Sequence, residues 1–498
     1  GIPAIVLKKC SPELVPVLSK LYSISVSSGV FPSSWKLANV QPIPKKGDKT
    51  NPFNYRPIAI TSLLSKVMEK AINHQLLSFL EANELLNDHQ YGFRQSRSTG
   101  DLLSYVTQVW NNALEKSDET LVVALDISKA FDQVWHKCLL AKLSSFGLGD
   151  TLINWVASFL DKRRIRVVVD GFLSKEVGIN AGVPQGSVIA PTLFLLYIND
   201  LISSTTNPIH CFADDSTLHC SSSNFSASIL DKGAEMAASI NKDLQRILNW
   251  GKSNLVCFNA AKTQGCLVSA KKSRSLPVIE MNESVLKISN SISMLGMSVS
   301  SNLSWVDHIL TATKVAARKL GFLCRSKQYF NSKQLYLLYK AQIRPHLEYN
   351  SHLWVGAPKY ALDMVNRIQK RAIRLINDPT LTSNIQSLEH RRIVSVLSLF
   401  YRYYHGRCAS ELKSLIPPNA TFARNTRFAH SQHQYAVKIS SCRTKRTQST
   451  FFCTASKLWN DLPSSCFPPQ YNLSKFKVAV HKHYLSNQLP SLCSPTCS

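Results

Sequence analysis

No stretch of this chain reaches the roughly 20 consecutive apolar residues that a membrane-spanning helix needs. The longest apolar run, "VIAPTLFLLYI" at 188–198, is short and contains Pro191. A membrane is therefore left off the list of expected partners. The start lacks the charged-then-apolar order of a secretory signal, and residue 1 is Gly rather than Met, so a fragment or a processed product is expected. The 13 cysteines include no Cys-x-x-Cys pair. That fits free thiols in a reducing compartment. The expected location is intracellular, in nucleus and cytoplasm. The one metal-like cluster, "HKH" at 481–483 with Cys493 and Cys497, matches no common zinc spacing.

Acid is also scarce where base is plentiful. Residues 1–270 hold 26 Lys/Arg against 22 Asp/Glu, whereas residues 271–498 hold 32 against nine. Nearly all of the net +27 thus sits in the second half. A field of that sign attracts polyanions, nucleic acid first. The nine acids form no cluster, so a ribonuclease H module is not expected there. What is present is a composition of real cores: 44% hydrophobic and 18% charged residues over 498 positions, enough for two to four domains.

Strand and helix signals alternate between residues 50 and 270. "TLVVALDIS" (120–128) reads as a buried strand ending at Asp126. "KAFDQVWHKCLLAKLSSFG" has helical spacing, with Phe131, Val134, Leu139 and Leu143 near one face and Gly147 as a stop. "RIRVVVDGFLSKEVGI" (164–179) predicts a hairpin turning at Asp170-Gly171. A Gly/Pro-rich loop then feeds the apolar helix within 182–201. "HCFADD" and "TLHCS" predict a strand and its return, residues 226–250 an amphipathic helix, and "NLVCFN" (254–259) another strand. The fold class is α+β, with an antiparallel sheet carrying helices on one face. Beyond about residue 305 the pattern is helical, at 308–325, 331–350 and 363–377. The last ninety residues are basic, with no clear order.

Within "IHCFADDSTLHC" (209–220), Asp214 and Asp215 stand together, and Asp126 ends the other strand. A tight turn at 214–215 aims at least one carboxylate at Asp126. Carboxylates converging on a sheet edge repel one another unless divalent ions hold them, the ligand set of two-metal phosphoryl transfer. Read alone, the same pair is ordinary turn chemistry.

"LDISKAFDQVWH", "AGVPQGSVIAPTLFLLYINDL" and "CFADDS" stand in the order and spacing of a known family. The chain resembles the reverse transcriptases of non-LTR (LINE-type, jockey-like) retrotransposons. "NYRPIAITSLLSKVMEKAI", "YGFRQSRSTGDLL", "NLVCFNAAKTQGCLVS" and "SMLGMSVSSNLSWVDHI" extend the likeness from about residue 1 to 310, and "RIQKRAIRLI" and "FFCTASKLWNDLP" resemble regions further on. Phe-Ala-Asp-Asp, rather than the Tyr-Met-Asp-Asp of retroviral enzymes, is similar to the non-LTR subtype. The upstream endonuclease usual in that group is not evident in this chain.

The resemblance implies a right-hand polymerase: fingers over 1–120, palm over 121–300, helical thumb over 301–410 and a basic segment over 411–498. It implies Mg2+ (with Mn2+ as a substitute) on Asp126, Asp214 and Asp215, helped by the carbonyl of Ile127. Phe131 matches the gate against a ribose 2′-OH, and Gln185 and Gly186 match the lining of the nucleotide pocket. Lys45, Lys46 and Arg56 match the triphosphate clamp. Lys262 matches the general acid to pyrophosphate, and Met294, Leu295 and Gly296 the primer grip. The implied function is RNA-directed DNA polymerisation, with template RNA, primer or target DNA, and dNTPs as partners. The competing expectation is a catalytically inactive nucleic-acid-binding remnant. An RNA-synthesising polymerase is expected to carry a smaller or polar gate than Phe131.

Overall fold

The computed structural model describes residues 2–45, 47–225, 229–271, 276–420 and 433–486. Lys46, Cys493 and Cys497 lie outside the described residues. Strands β1 (Leu37–Pro44) and β2 (Tyr55–Ile60) pair antiparallel, Asn39 opposite Ile60. Strand β3 (Thr120–Leu125) begins a second sheet. Strand β4 (Arg163–Val169) returns to the first sheet, parallel to β1, and β5 (Phe172–Leu173) and β6 (Val177–Ile179) pair with it. The predicted Asp170-Gly171 turn is there, at φ 50° and 86°, the left-handed pair that an Asp-Gly hairpin tip adopts readily. The first sheet therefore joins strands from both sides of residue 120.

The second sheet runs β12-β9-β3-β8-β7. It comprises β7 (Ile209–Phe212), β8 (Asp215–Ser221), β9 (Gln264–Val268) and β12 (Ile288–Ser289) around β3, after a small hairpin of β10 (Glu280–Met281) and β11 (Ser284–Val285). A further hairpin, β13 (Ser291–Met294) and β14 (Met297–Ser300), follows. The strand expected at 254–259 is only an isolated bridge between Ile127 and Phe258, and the ladder strand comes later, at 264–268.

Helices α1 (Ala4–Lys9), α2 (Ser11–Ser27), α3 (Leu63–Ala82), α4 (Thr99–Glu115), α5 (His136–Ser145), α6 (Asp150–Leu160), α7 (Ala190–Ile198) and α8 (Ile229–Ser253) surround the sheets. On β3, Val122 packs in the core that holds Leu103, Val106 and Trp110 of α4. Its neighbours Leu121, Val123 and Leu125 pack in the core that holds Leu193 of α7 and Ile240 of α8. Helices thus cover both faces of the sheet, not one. The reason is legible in β3, which is apolar at successive positions rather than at alternate ones, as a strand buried on both faces must be. Each such side chain buried contributes about 1.5–3 kcal/mol.

Phe131 also departs from expectation. It sits in a short 3-10 turn, Ala130–Asp132, entered through Lys129 at φ 47°, and α5 starts only at His136. Trp135, extended at ψ 112°, separates that turn from α5, so the periodicity from 131 to 143 spans two pieces.

Beyond residue 300 the described residues are helical: α9 (Val306–Arg325), α10 (Ser332–Leu338), α11 (Arg344–Glu348), α12 (Lys359–Ile376), α13 (Pro379–Thr382), α14 (Leu388–Tyr404), α15 (Ser410–Ser414), α16 (Lys445–Gln448), α17 (Phe451–Asn460) and α18 (Leu473–Ser486). The single helix expected at 331–350 is interrupted by a π turn, Tyr339–Ile343, just ahead of Pro345. Proline has no N–H and crowds the preceding turn, and the extra residue relieves that crowding. Much of the last ninety residues is ordered: Trp459 of α17 and Phe476 of α18 lie fully buried against Phe400 and Tyr401 of α14. Among the described residues no helix is long and apolar enough to cross a membrane.

Candidate active site

Asp126 is the first residue beyond β3, and Leu125 lies opposite Ser216 of β8. That register brings Asp126 to the same sheet edge as Asp215. Phe212 pairs with Asp215, which leaves Ala213-Asp214 as the hairpin tip, with Ala213 at φ 57°. The tip is held from outside the hairpin. The side-chain carbonyl of buried Gln90 accepts the N–H of Ala213 at 2.9 Å and that of Gly92 at 2.8 Å. A Cβ on Gly92 would lie 2.3 Å from the nitrogen of Ala213, so only glycine lets the two backbones approach. Gln90 and Gly92 were missed as functional positions. "HQYG" has no periodicity or spacing that ties it to residue 213.

A cleft of about 80 Å³ is lined by Asp126, Asp215, Lys262, Met294 and Leu295 among others. Burial, with Asp214 and Asp126 alongside, pushes the Asp215 carboxyl up to about 6. Burial also raises Asp214, Asp126 adding to the effect and Arg56 opposing it. The Oδ2 atom of Asp126 is buried without a hydrogen-bond partner, and the Lys262 ammonium lies 3.8 Å from it, beyond hydrogen-bond reach. An orphaned carboxylate oxygen beside two acids that resist ionisation is the donor set a hard divalent cation satisfies. The residues present fit such an ion.

The remaining expected residues divide. Met294 and Leu295 reach the cleft because Leu295 (φ 47°) and Gly296 (φ 78°) form the tight β13–β14 turn, and Tyr349 donates its hydroxyl to the Leu295 carbonyl at 2.7 Å. The bridge at Ile127 uses the carbonyl of Asp126 and the N–H of Ser128, not the groups of Ile127 itself. Phe131 stacks on Phe194 at 4.6 Å, with Phe93 edge-on at 6.4 Å. Gln185 donates from Nε2 to Asp132 at 2.9 Å, and its carbonyl accepts the N–H of Ala59 at 2.7 Å. Gly186 is at φ 129°, where a Cβ would stand 2.3 Å from the Ala59 carbonyl oxygen. Its freedom thus serves a close approach to β2. Lys45 directly follows β1 and the exposed Arg56 is the second residue of β2, the two strands pairing through Pro44 and Tyr55. The Lys45 charge acts on Asp132 and that of Arg56 on Asp214.

The profile of the reverse transcriptase (RNA-dependent DNA polymerase) family matches residues 43–299. The chain is 28% identical over 373 residues to the RNA-directed DNA polymerase from mobile element jockey of Drosophila melanogaster, covering 73% of this chain and 40% of that protein. It is 27% identical to the probable RNA-directed DNA polymerase from transposon X-element of the same organism, covering 74% and 41%. The apo telomerase structure from Candida tropicalis aligns at 13% identity with a TM-score of 0.41, over 77% of this chain and 66% of that one. The chain spans about two fifths of the length of the curated relatives it matches.

Proposed function

This chain belongs to the reverse transcriptase (RNA-dependent DNA polymerase) family, and from that premise we propose that it extends a primer 3′-OH with dNTPs on an RNA template, in the service of retrotransposition. The observation that carries this reading is the meeting of Asp126 with the Asp214-Asp215 tip at one sheet edge, where one carboxylate oxygen is buried and unpartnered. Asp126, Asp214 and Asp215 are the residues that would hold Mg2+, or Mn2+ in its place. When bound, such ions supply positive charge to the attacking hydroxyl and to the phosphates.

The rest of the work falls to this chain's own side chains. Arg56, Lys45 and Lys46 neutralise the triphosphate and orient it. Gln185 and Gly186 form the floor under the incoming nucleotide, fixed to β2 and to Asp132. Phe131, braced on Phe194, fills the space a 2′-OH would need. Lys262 delivers a proton to the departing pyrophosphate. The Met294-Leu295-Gly296 turn bears on the primer backbone. Residues 1–120 serve as fingers, 121–300 as palm, 301–410 as thumb and 411–498 as a basic segment. The basic second half contacts template RNA and primer or target DNA through phosphate charge.

The test is primer extension on an RNA template with dNTPs and Mg2+, wild type against Asp214→Ala. Extension by the wild type and none by the variant is expected. Retained RNA binding with no extension by the wild type would favour the inactive remnant instead.

A further inference from the structure

Away from the cleft, three ligating side chains meet from distant parts of the chain. His89 lies between α3 and α4, His210 on β7, and Glu411 on α15. Glu411 Oε1 stands 3.1 Å from Nε2 of His89 and 3.1 Å from Nε2 of His210. One donor atom from each of the three lies within 4.8 Å of the others. Among the described residues this is the His/Cys/Asp/Glu group that gathers so closely.

We propose that His89, His210 and Glu411 hold one zinc ion as a structural clip between strand β7 and the segment that carries α15. The ligand spacing is the first argument. Two ligands each about 2.0–2.1 Å from a tetrahedral zinc stand ~3.3 Å apart. A charge-assisted N–H···O⁻ bond contracts to about 2.7–2.9 Å. Both contacts to Glu411 Oε1 are longer than that and near the ligand spacing.

The second argument is the support behind each ligand. The His89 ring interacts with the backbone of Ile209, and the other nitrogen of His210, Nδ1, faces Nε2 of His219 at 3.3 Å. Tyr91 donates its hydroxyl to the second oxygen of Glu411 at 3.2 Å. Outer partners of this kind fix the tautomer and direction of metal-bound imidazoles and carboxylates. Third, His210 is buried while about a third of the His89 side chain remains exposed. That leaves an entry path from solvent, from which a water would supply the fourth ligand. Two imidazoles and one carboxylate suit zinc, whereas the all-carboxylate set at Asp126, Asp214 and Asp215 suits a harder ion.

The clip has a consequence for placement. His210 precedes the Asp214 tip on the same short strand, so an ion there ties the approach to the cleft to residues beyond the α9–α14 helices. The inference does not depend on the polymerase reading, and its test needs no activity.

The full chain, stripped with a chelator and titrated with Co2+, is expected to develop the visible absorption of four-coordinate cobalt at one equivalent, which Zn2+ then abolishes. Zinc should raise the melting temperature where Mg2+ at the same concentration does not. His89→Ala, at the most exposed ligand, should weaken zinc at least about 100-fold. Asp214→Ala and Cys442→Ser should leave the cobalt spectrum intact, which separates this site from the cleft and from thiol-bound metal. A wild type without that spectrum, or a spectrum that survives both His89→Ala and Glu411→Gln, overturns the proposal. The cluster would then be a hydrogen-bonded ion pair only.

Discussion

The carboxylate of Glu69 accepts the backbone N–H of Val188 at 2.7 Å, across 119 residues of sequence. The same oxygen accepts the hydroxyl of Ser187, and the other accepts that of Ser65 at 2.5 Å. Glu69 is fully buried in the middle of α3, so it fixes the loop that carries Gln185 and Gly186 just ahead of α7. Removing it strands several buried donors at about 1–3 kcal/mol each. Glu69→Ala should therefore lower unfolding free energy by about 2–4 kcal/mol in urea. Glu69→Gln, whose carbonyl can still accept, should recover part of that. In both variants KM for dNTP should rise more than kcat falls, because the loop is displaced and the acids are not.

Gly92→Ala puts a methyl 2.3 Å from the Ala213 nitrogen. The tip that aims Asp214 must move, and primer extension should fall by at least about tenfold, since small misplacements cost that much or more. Gly149→Ala is the control: its added Cβ meets nothing within 4 Å and its φ of −66° suits any residue. Equal losses in the two variants would remove the geometric explanation.

The acids in the cleft make metal-free stability depend on pH. The native Asp215 carboxyl holds its proton up to about 6 and that of Asp214 is also raised, against about 3.9 for an unfolded Asp. Between about pH 4 and 6 the native state thus binds more protons than the unfolded one, and stability falls as pH rises through that window. Asp215 is exposed on its cleft side, so the size of the effect is screened. Asp215→Asn should raise the melting temperature at pH 7.5 without divalent ions, with the gain vanishing below about pH 4. Thermal scans across pH, with and without Mg2+, check the sign. Activity should be lost throughout.

Lys262 is two-thirds exposed and stands 3.8 Å from Asp126. An exposed pair at that distance contributes less than about 1 kcal/mol. Lys262→Ala should leave the melting temperature nearly unchanged while slowing nucleotide addition by about 10²-fold or more, the range of a lost general acid. An equal loss of fold and rate would make the lysine structural.

Cys211 and Cys220 flank the acids but are buried on β7 and β8, Cys211 Sγ lying 3.2 Å from the Ser216 hydroxyl. Thiols are poor ligands for a hard ion. Changing both to Ala should cost stability by a small cavity, about 1–2 kcal/mol, and leave most primer extension.

The Asp-Gly hairpin, the apolar α7, the strand-turn-strand around Asp214 and the α9 and α12 helices could all be read from the chain. Each is set by local chemistry: turn residues, apolar period, or a strand end. The π turn before Pro345 was also within reach of the sequence, since the proline was in view. Phe131 was misplaced because its period with Leu139 continues across an extended Trp135 that sequence spacing does not reveal. The strand expected at 254–259 was apolar enough, but pairing at Gln264–Val268 won because that segment finds β3 alongside it.

What the sequence by itself determined is the stock of chemistry: three carboxylates on strand ends, a gate-sized aromatic, a glycine loop and a basic second half. Those are properties of residue types at short range, and the family resemblance ordered them. The tertiary structure alone decided which distant groups hold that chemistry still. Gln90 and Gly92 on the Ala213 tip, Glu69 under the Gln185 loop, α4 on the far face of β3, and Glu411 between two histidines are all contacts between segments far apart in the chain. No local propensity encodes such contacts, because their free energy is gained only once the sheets and helices have closed on one another.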